Sequence, residues 1–240
     1  MDIAEKVLRL KDDFDDVYDA GKKAEYDAFW DGVQDYGNRT NYDYAFAGIG
    51  WIEETFKPKH DIVPLTANGM FQTNRMLNGD MDELIKKQGI IFDTSKCRSF
   101  TNFANSAVGI TKFPPLDFTS VTTEMGNTNT FSYCNNLVEF EITINATTPF
   151  SNGTFNRCTA LQKLIINGTI GQKNFNVQWS PLLSADSLKS IINALSTTTT
   201  GLTITLPTTA QANYEAVYGS GSWATLVATR SNWTIAYVKS

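Results

Sequence analysis

The segment TFSYCNNLVEFEITI at residues 130–144 is rewritten 24 residues later as TFNRCTALQKLII at residues 154–166. Thr130, Phe131, Cys134 and Leu137 return as Thr154, Phe155, Cys158 and Leu161, while Phe140 becomes Leu164 and Ile142 becomes Ile166. One frame carries all six matches without a gap. This constrains the fold more than any other feature, because a unit this short cannot bury its own apolar face and must stack on a neighbour.

Within a unit the pattern is that of a half-buried strand. Val138, Phe140, Ile142 and Ile144 alternate with Glu139, Glu141 and Thr143, so the even positions face inward and the odd ones outward. Phe131, Cys134 and Leu137 lie in the turn that feeds the strand and fill the space behind it. A shift of one unit sets Glu139 beside Lys163 on the outer face. The period falls in the 20–29 residue range of leucine-rich repeats. A looser copy, FANSAVGITKFPPLDF from Phe103, places Ile110 at the Leu137 position and Phe113 at the Phe140 position, with one inserted residue. Its Pro114 and Pro115 predict a short or edge strand. Cys97 and Phe100 echo Cys134 and Leu137 as a fourth, fainter copy.

Charge divides the chain. Residues 1–58 carry 14 acidic against 7 basic side chains, and the rest carries 11 against 13. The net charge of −5 gives no electrostatic support to nucleic-acid binding. Ile3, Val7, Leu10, Phe14 and Val17 form a heptad seam ending at Gly21. That seam fits either an amphipathic helix packed on its own domain or a short parallel coiled coil joining copies of the chain as a homotrimer. The aromatic-rich stretch 28–51 reads as a packed helix-turn element, and Gly48 and Gly50 lack the partners of a phosphate loop.

The remaining segments read as follows. FKPKHDIVPL marks a boundary near residue 58, and MDELIKKQGII predicts a helix closed by Gly89 that caps the open end of the stack. NFNVQWS predicts a strand with Phe175, Val177 and Trp179 inward. SPLLSADSLKSIINAL predicts a helix with Ser184 as N-cap and Leu188, Ile191, Ile192 and Leu195 as its apolar face. LTITL and NWTIAYV predict strands, with a helix begun by Thr208 or Thr209 and a second after GSGS between them. The expected class is α+β: residues 1–58 an acidic helical region, 59–206 a short leucine-rich-repeat solenoid with one stacked sheet, and 207–240 an α/β C-terminal cap.

F-x-x-C-x-x-L followed by an alternating strand resembles the BspA-type leucine-rich repeats of bacteria, most specifically over residues 131–166. The closing LLSADSLKSIINAL and the opening GKKAEYDAFWDGVQDYGNRTNY are similar to segments of prophage tail-associated proteins of gut Firmicutes. The resemblance implies adhesion, host attachment or virion structure. The opening MDIAEKVLRLKDDF has no apolar core of a signal peptide. That favours a phage tail component, in the virion or in the cytoplasm before assembly, over an adhesin at the bacterial cell surface. No run of residues is long and apolar enough to insert in a membrane.

Expected contact residues are the outward Glu139, Glu141, Thr143, Lys163 and Ile165, recognising a protein or a glycan on a bacterial or host surface. Glu139 and Glu141 also project from one strand face roughly 7 Å apart, a spacing that makes a cell-wall glycan hydrolase a distant alternative. His60, the one histidine, sits between prolines and reads as solvated. Asp12, Asp13, Asp15 and Asp16 splay around a helix without the glycine and distal glutamate of a calcium loop. The three cysteines read as buried, and five N-x-S/T sites, at Asn38, Asn145, Asn152, Asn167 and Asn232, read as accidents of an Asn- and Thr-rich chain. No catalytic residue, metal or cofactor is expected.

Overall fold

A computed structural model describes residues 39–48, 58–74, 79–122, 129–150 and 153–239. The heptad positions Ile3 to Val17 and the acidic cluster Asp12 to Asp16 lie outside the described residues. In chain order the elements are β1 (Gly79–Asp80), α1 (Met81–Gln88), β2 (Ile110–Lys112), β3 (Leu116–Asp117), β4 (Glu139–Thr143), β5 (Lys163–Asn167), β6 (Phe175–Asn176), α2 (Ala185–Ala194), β7 (Leu202–Pro207), α3 (Ala210–Tyr218), α4 (Ser222–Ala228) and β8 (Trp233–Val238). The fold is mixed α/β, with every strand pair parallel and four helices among the described residues.

The two matching segments pair in the frame their sequences share. β4 and β5 run parallel with Glu139 opposite Lys163, Phe140 opposite Leu164 and Ile142 opposite Ile166. Alternation is kept, with Phe140, Ile142, Leu164 and Ile166 buried. Ahead of β1, β2, β4 and β5 the chain makes a tight turn, another lies at residues 43–48, and successive turns are joined by backbone hydrogen bonds. The Phe46, Phe71, Ala104 and Phe131 N–H groups donate to the carbonyls of Met70, Phe103, Thr130 and Thr154 at 2.7–3.0 Å. Each turn holds a residue in the left-handed region: Gly48, Thr73, Ser106, Tyr133 and Arg157, at φ of 72°, 55°, 59°, 62° and 59°. Five turns therefore stack: three match the copies read at residues 103, 130 and 154, two lie upstream, and the fainter copy at Cys97 and Phe100 is not one of them. The segment 41–48, expected to be part of a helix-turn element, is the first of them, and it lies upstream of residue 58.

The spacings of those left-handed residues are 25, 33, 27 and 24, which explains why the upstream copies blur in the sequence. The long interval accommodates β1 and α1. The helix has the expected extent, with the Asp80 carboxylate accepting from Glu83 N–H and Gly89 at φ 66° closing it. It does not cap an open end, since two turns stack ahead of it. The turn at 102–106 also needs no inserted residue. Ala104, not Phe103, takes the Phe131 place in the ladder, while the Phe103 ring enters the core from the Thr130 position.

Rings from successive units form a continuous spine. Phe46–Phe71, Phe71–Phe103, Phe103–Phe131, Phe131–Phe155 and Phe155–Phe175 have centroid separations of 5.4, 5.3, 5.8, 5.4 and 6.2 Å. Burying each ring contributes on the order of 1.5–3 kcal/mol. The prolines act as expected in part. Pro114 and Pro115 split one strand into β2 and β3, which both pair with the same flank of β4. β2 is short but not an edge, because β1 pairs with it.

The strands divide into two sheets, which corrects the expectation of a single one. One holds β1, β2, β3, β4 and β5, and the other runs β6-β7-β8. The first sheet stops at β5 because α2 lies along its edge. Leu164 N–H donates to Ser187 Oγ and Ile166 N–H to Ser190 Oγ, both at 2.9 Å, so serine hydroxyls take the place of a further strand. The helix has Ser184 at its N-cap, and Leu188, Ile191, Ile192 and Leu195 are buried. Arg230 donates to the Leu195 and Asn193 carbonyls at its other end, each at 2.8 Å. β6 is shorter than expected: Phe175 and Val177 are buried, but the chain turns at Ser180 and Trp179 is only half-buried. Thr209 precedes α3 without capping it, its hydroxyl donating instead to the Pro181 carbonyl at 2.8 Å.

Candidate functional site

The outer face of the first sheet assembles from residues that alternation turns away from the core. Glu139, Glu141 and Thr143 lie opposite Lys163, Ile165 and Asn167. β2 places Lys112 opposite Glu139 on the other flank, and α1 brings Asp82 beside Lys112. The result is a row of alternating charge. Lys86 Nζ lies 2.8 Å from Asp82, Lys112 lies 3.3 Å from Asp82 and 3.5 Å from Glu139, and Lys163 lies 3.6 Å from Glu139. Asn167 Nδ2 donates to Glu141 at 2.9 Å. These groups line an open depression of about 190 Å³ floored by Phe113, Pro115 and Phe140.

The Glu139–Lys163 pair forms as the repeat shift predicts, and as an exposed pair it contributes only a few tenths of a kcal/mol. Asp82 is the least exposed member, its side chain 9% accessible. Burial works to raise its pKa, but the hydrogen bonds and charges of Lys86 and Lys112 outweigh it, and the carboxyl is held below its ordinary value. The Asp82 hydrogen bond raises the pKa of Lys112 in return, with Glu139 adding to it. Parallel pairing of β2, β4 and β5 sets the successive charges of the row in register.

Of the five expected contact residues, Glu139, Glu141 and Lys163 line the depression, while Thr143 and Ile165 stand on the same face beside it. Glu139 and Glu141 are roughly 7 Å apart by strand geometry. Each is engaged, by two lysines and by Asn167 respectively, on a surface open to water. Lys112 was legible in the sequence, since placing Ile110 at the Leu137 position also places Lys112 at the Glu139 position. Asp82 was not, because the insertion that carries it belongs to no repeat. His60 is exposed and outside the depression.

The cysteines are buried and free. Cys134 and Cys158 occupy equivalent places, and their thiols donate to the carbonyls of Ala104 and Phe131 at 2.9 and 3.1 Å. Asn74 does the same toward Phe46 at 3.3 Å. Cys97 does not stack with them, for Ala107 holds the corresponding place and Cys97 bonds to the Ser99 carbonyl. The Asn145, Asn167 and Asn232 amides of the N-x-S/T sites are used internally, donating to Thr119, Glu141 and Ser196. Among the described residues, no group of three or more His, Cys, Asp or Glu could hold a metal ion, and no helix is long and apolar enough to cross a membrane.

No family model matches the chain, and neither a curated protein nor a solved structure is significantly similar to it.

Proposed function

We propose that this chain is a non-enzymatic recognition protein, a short leucine-rich solenoid of the BspA type acting as an attachment or structural component of a phage or prophage tail. The observation that supports it most is the ion-paired row Lys86–Asp82–Lys112–Glu139–Lys163, carried on a rigid parallel face. Such a row offers a partner charges in register, while its two carboxylates, Asp82 and Glu139, are already paired with lysines. Recognition of a protein or glycan surface through Glu139, Glu141, Thr143, Lys163 and Ile165 is the use that fits this arrangement. The reading as a tail component rests on the F-x-x-C-x-x-L units and on the resemblance of both chain ends.

Gold-labelled antibody against the chain, applied to phage particles induced from the source strain and to intact cells, tests the assignment. Label on tails is expected. Label confined to the cell envelope would instead identify an adhesin, and label on neither would end both readings. Glu139→Lys should weaken attachment of the labelled protein to target cells about tenfold, about 1.4 kcal/mol, because it places three lysines side by side. Unchanged attachment would remove the strand face from recognition.

A further inference from the structure

A second surface lies at the turns rather than on the strands. Arg157 occupies the left-handed position of the fifth turn, and Tyr133 occupies the equivalent position of the fourth. The Arg157 guanidinium carbon sits 5.3 Å from the centroid of the Tyr133 ring and 5.3 Å from that of Trp179, over the face of each. Two aromatic faces thus fix the side chain without using its N–H groups. Among the described residues Arg157 makes no hydrogen bond and no ion pair, whereas Arg230 spends its donors on carbonyls. The segments stacked around it, residues 103–110, 129–137, 153–161 and 176–184, contain no Asp or Glu. Arg157 and Tyr133 are exposed, and neither the Tyr133 hydroxyl nor the Trp179 indole N–H has a partner among the described residues.

We propose that Arg157, held between Tyr133 and Trp179, is a recognition site for the carboxylate of an acidic sugar. A planar guanidinium fork binds carboxylate through two parallel hydrogen bonds, and pre-fixing it lowers the entropy lost on binding. The flanking rings remove water from one side of the ion pair, which strengthens it. The free phenol and indole donors beside the fork match the hydroxyls that accompany a sugar carboxylate. In a sugar acid those hydroxyls stand at fixed positions on the ring that bears the carboxylate, an arrangement that a run of Asp or Glu side chains does not offer. This inference stands apart from the strand-face reading, since no residue is shared.

The test is titration of the full-length protein with galacturonate and glucuronate oligomers, followed by calorimetry and tryptophan fluorescence. Saturable binding that falls with added salt is expected, with neutral galactose oligomers inert. Arg157→Gln should lose at least about tenfold in affinity, and Arg157→Lys, which keeps the charge but not the fork, should lose several-fold. Arg157 is exposed, so both variants should stay folded, with Tm lowered by at most about a few degrees where the ring contacts are lost. Absence of binding by the wild type, or equal binding by Arg157→Gln, would overturn the proposal. Tighter binding of oligoglutamate or of a glycerol-phosphate polymer than of the acidic sugars would also overturn it, assigning the arginine to another partner.

Discussion

Cys134 and Cys158 show how much a single side chain does in a stacked turn. Each is small enough for the space behind the strand and carries a donor that reaches the carbonyl one unit back. A buried carbonyl left without a donor costs about 1–3 kcal/mol, so the thiol is more than filler. Asn74 makes the same bond with an amide, which is why a search for cysteine passes over the second turn. Burial also sets the acidity of these groups. It drives Cys134 well above its ordinary value, with Cys158 adding to the effect, and pushes the Cys97 thiol and the Tyr42 hydroxyl up to about 12. A raised folded-state pKa favours folding fully below the unfolded-state value and loses that contribution as pH climbs toward the folded one. The urea midpoint should therefore decline between about pH 9 and 12, with no comparable change attributable to these groups at neutral pH. Iodoacetamide at pH 8.5 should label the native thiols at least about a hundredfold more slowly than the unfolded ones. Rapid native labelling of Cys134 or Cys158 would mean that the turns open readily.

At the scale of the element, the end of the first sheet is the least expected device. A parallel sheet must cover its edges, and β5 would otherwise present free N–H groups to any passing strand. Ser187 and Ser190, one helical turn apart on α2, meet the Leu164 and Ile166 N–H groups. Ser187→Ala with Ser190→Ala should cost about 2–4 kcal/mol, from two orphaned donors. Amide exchange at Leu164 and Ile166 should accelerate selectively. A loss below about 0.5 kcal/mol would mean that water replaces both hydroxyls without penalty. The apolar face of α2 was legible, because Leu188, Ile191, Ile192 and Leu195 follow helical spacing. The serine role was not, since nothing local marks a hydroxyl that caps another element's strand. The same contrast governs the site. Glu139 and Lys163 could be paired from a repeat shift alone, whereas the Asp82 end of the row depends on an insertion, and Trp179 looked inward only because strand alternation was carried past Val177. Local period reports what faces inward; it is silent about which distant segment arrives alongside.

For the whole molecule, the strength of attachment depends on how many copies act together. Ile3, Val7, Leu10, Phe14 and Val17 repeat with the +4, +3, +4, +3 spacing of a coiled-coil seam, over a length that is marginal for an isolated coiled coil. Light scattering on the full chain and on a variant lacking residues 1–21 should give a trimer and a monomer respectively. The two proposed recognition surfaces make the distinction matter. A single arginine–carboxylate contact and a row of exposed ion pairs are individually weak, but three copies on one stalk meet a polymeric surface at high effective concentration and gain 10²–10⁴-fold in avidity by the usual order of magnitude. On that arrangement, removing residues 1–21 should abolish attachment to cells while leaving the binding of a short acidic sugar by one protomer unchanged. A full chain that is already monomeric would assign the seam to packing within one protomer. Attachment would then have to come from single contacts far stronger than exposed pairs of this kind supply.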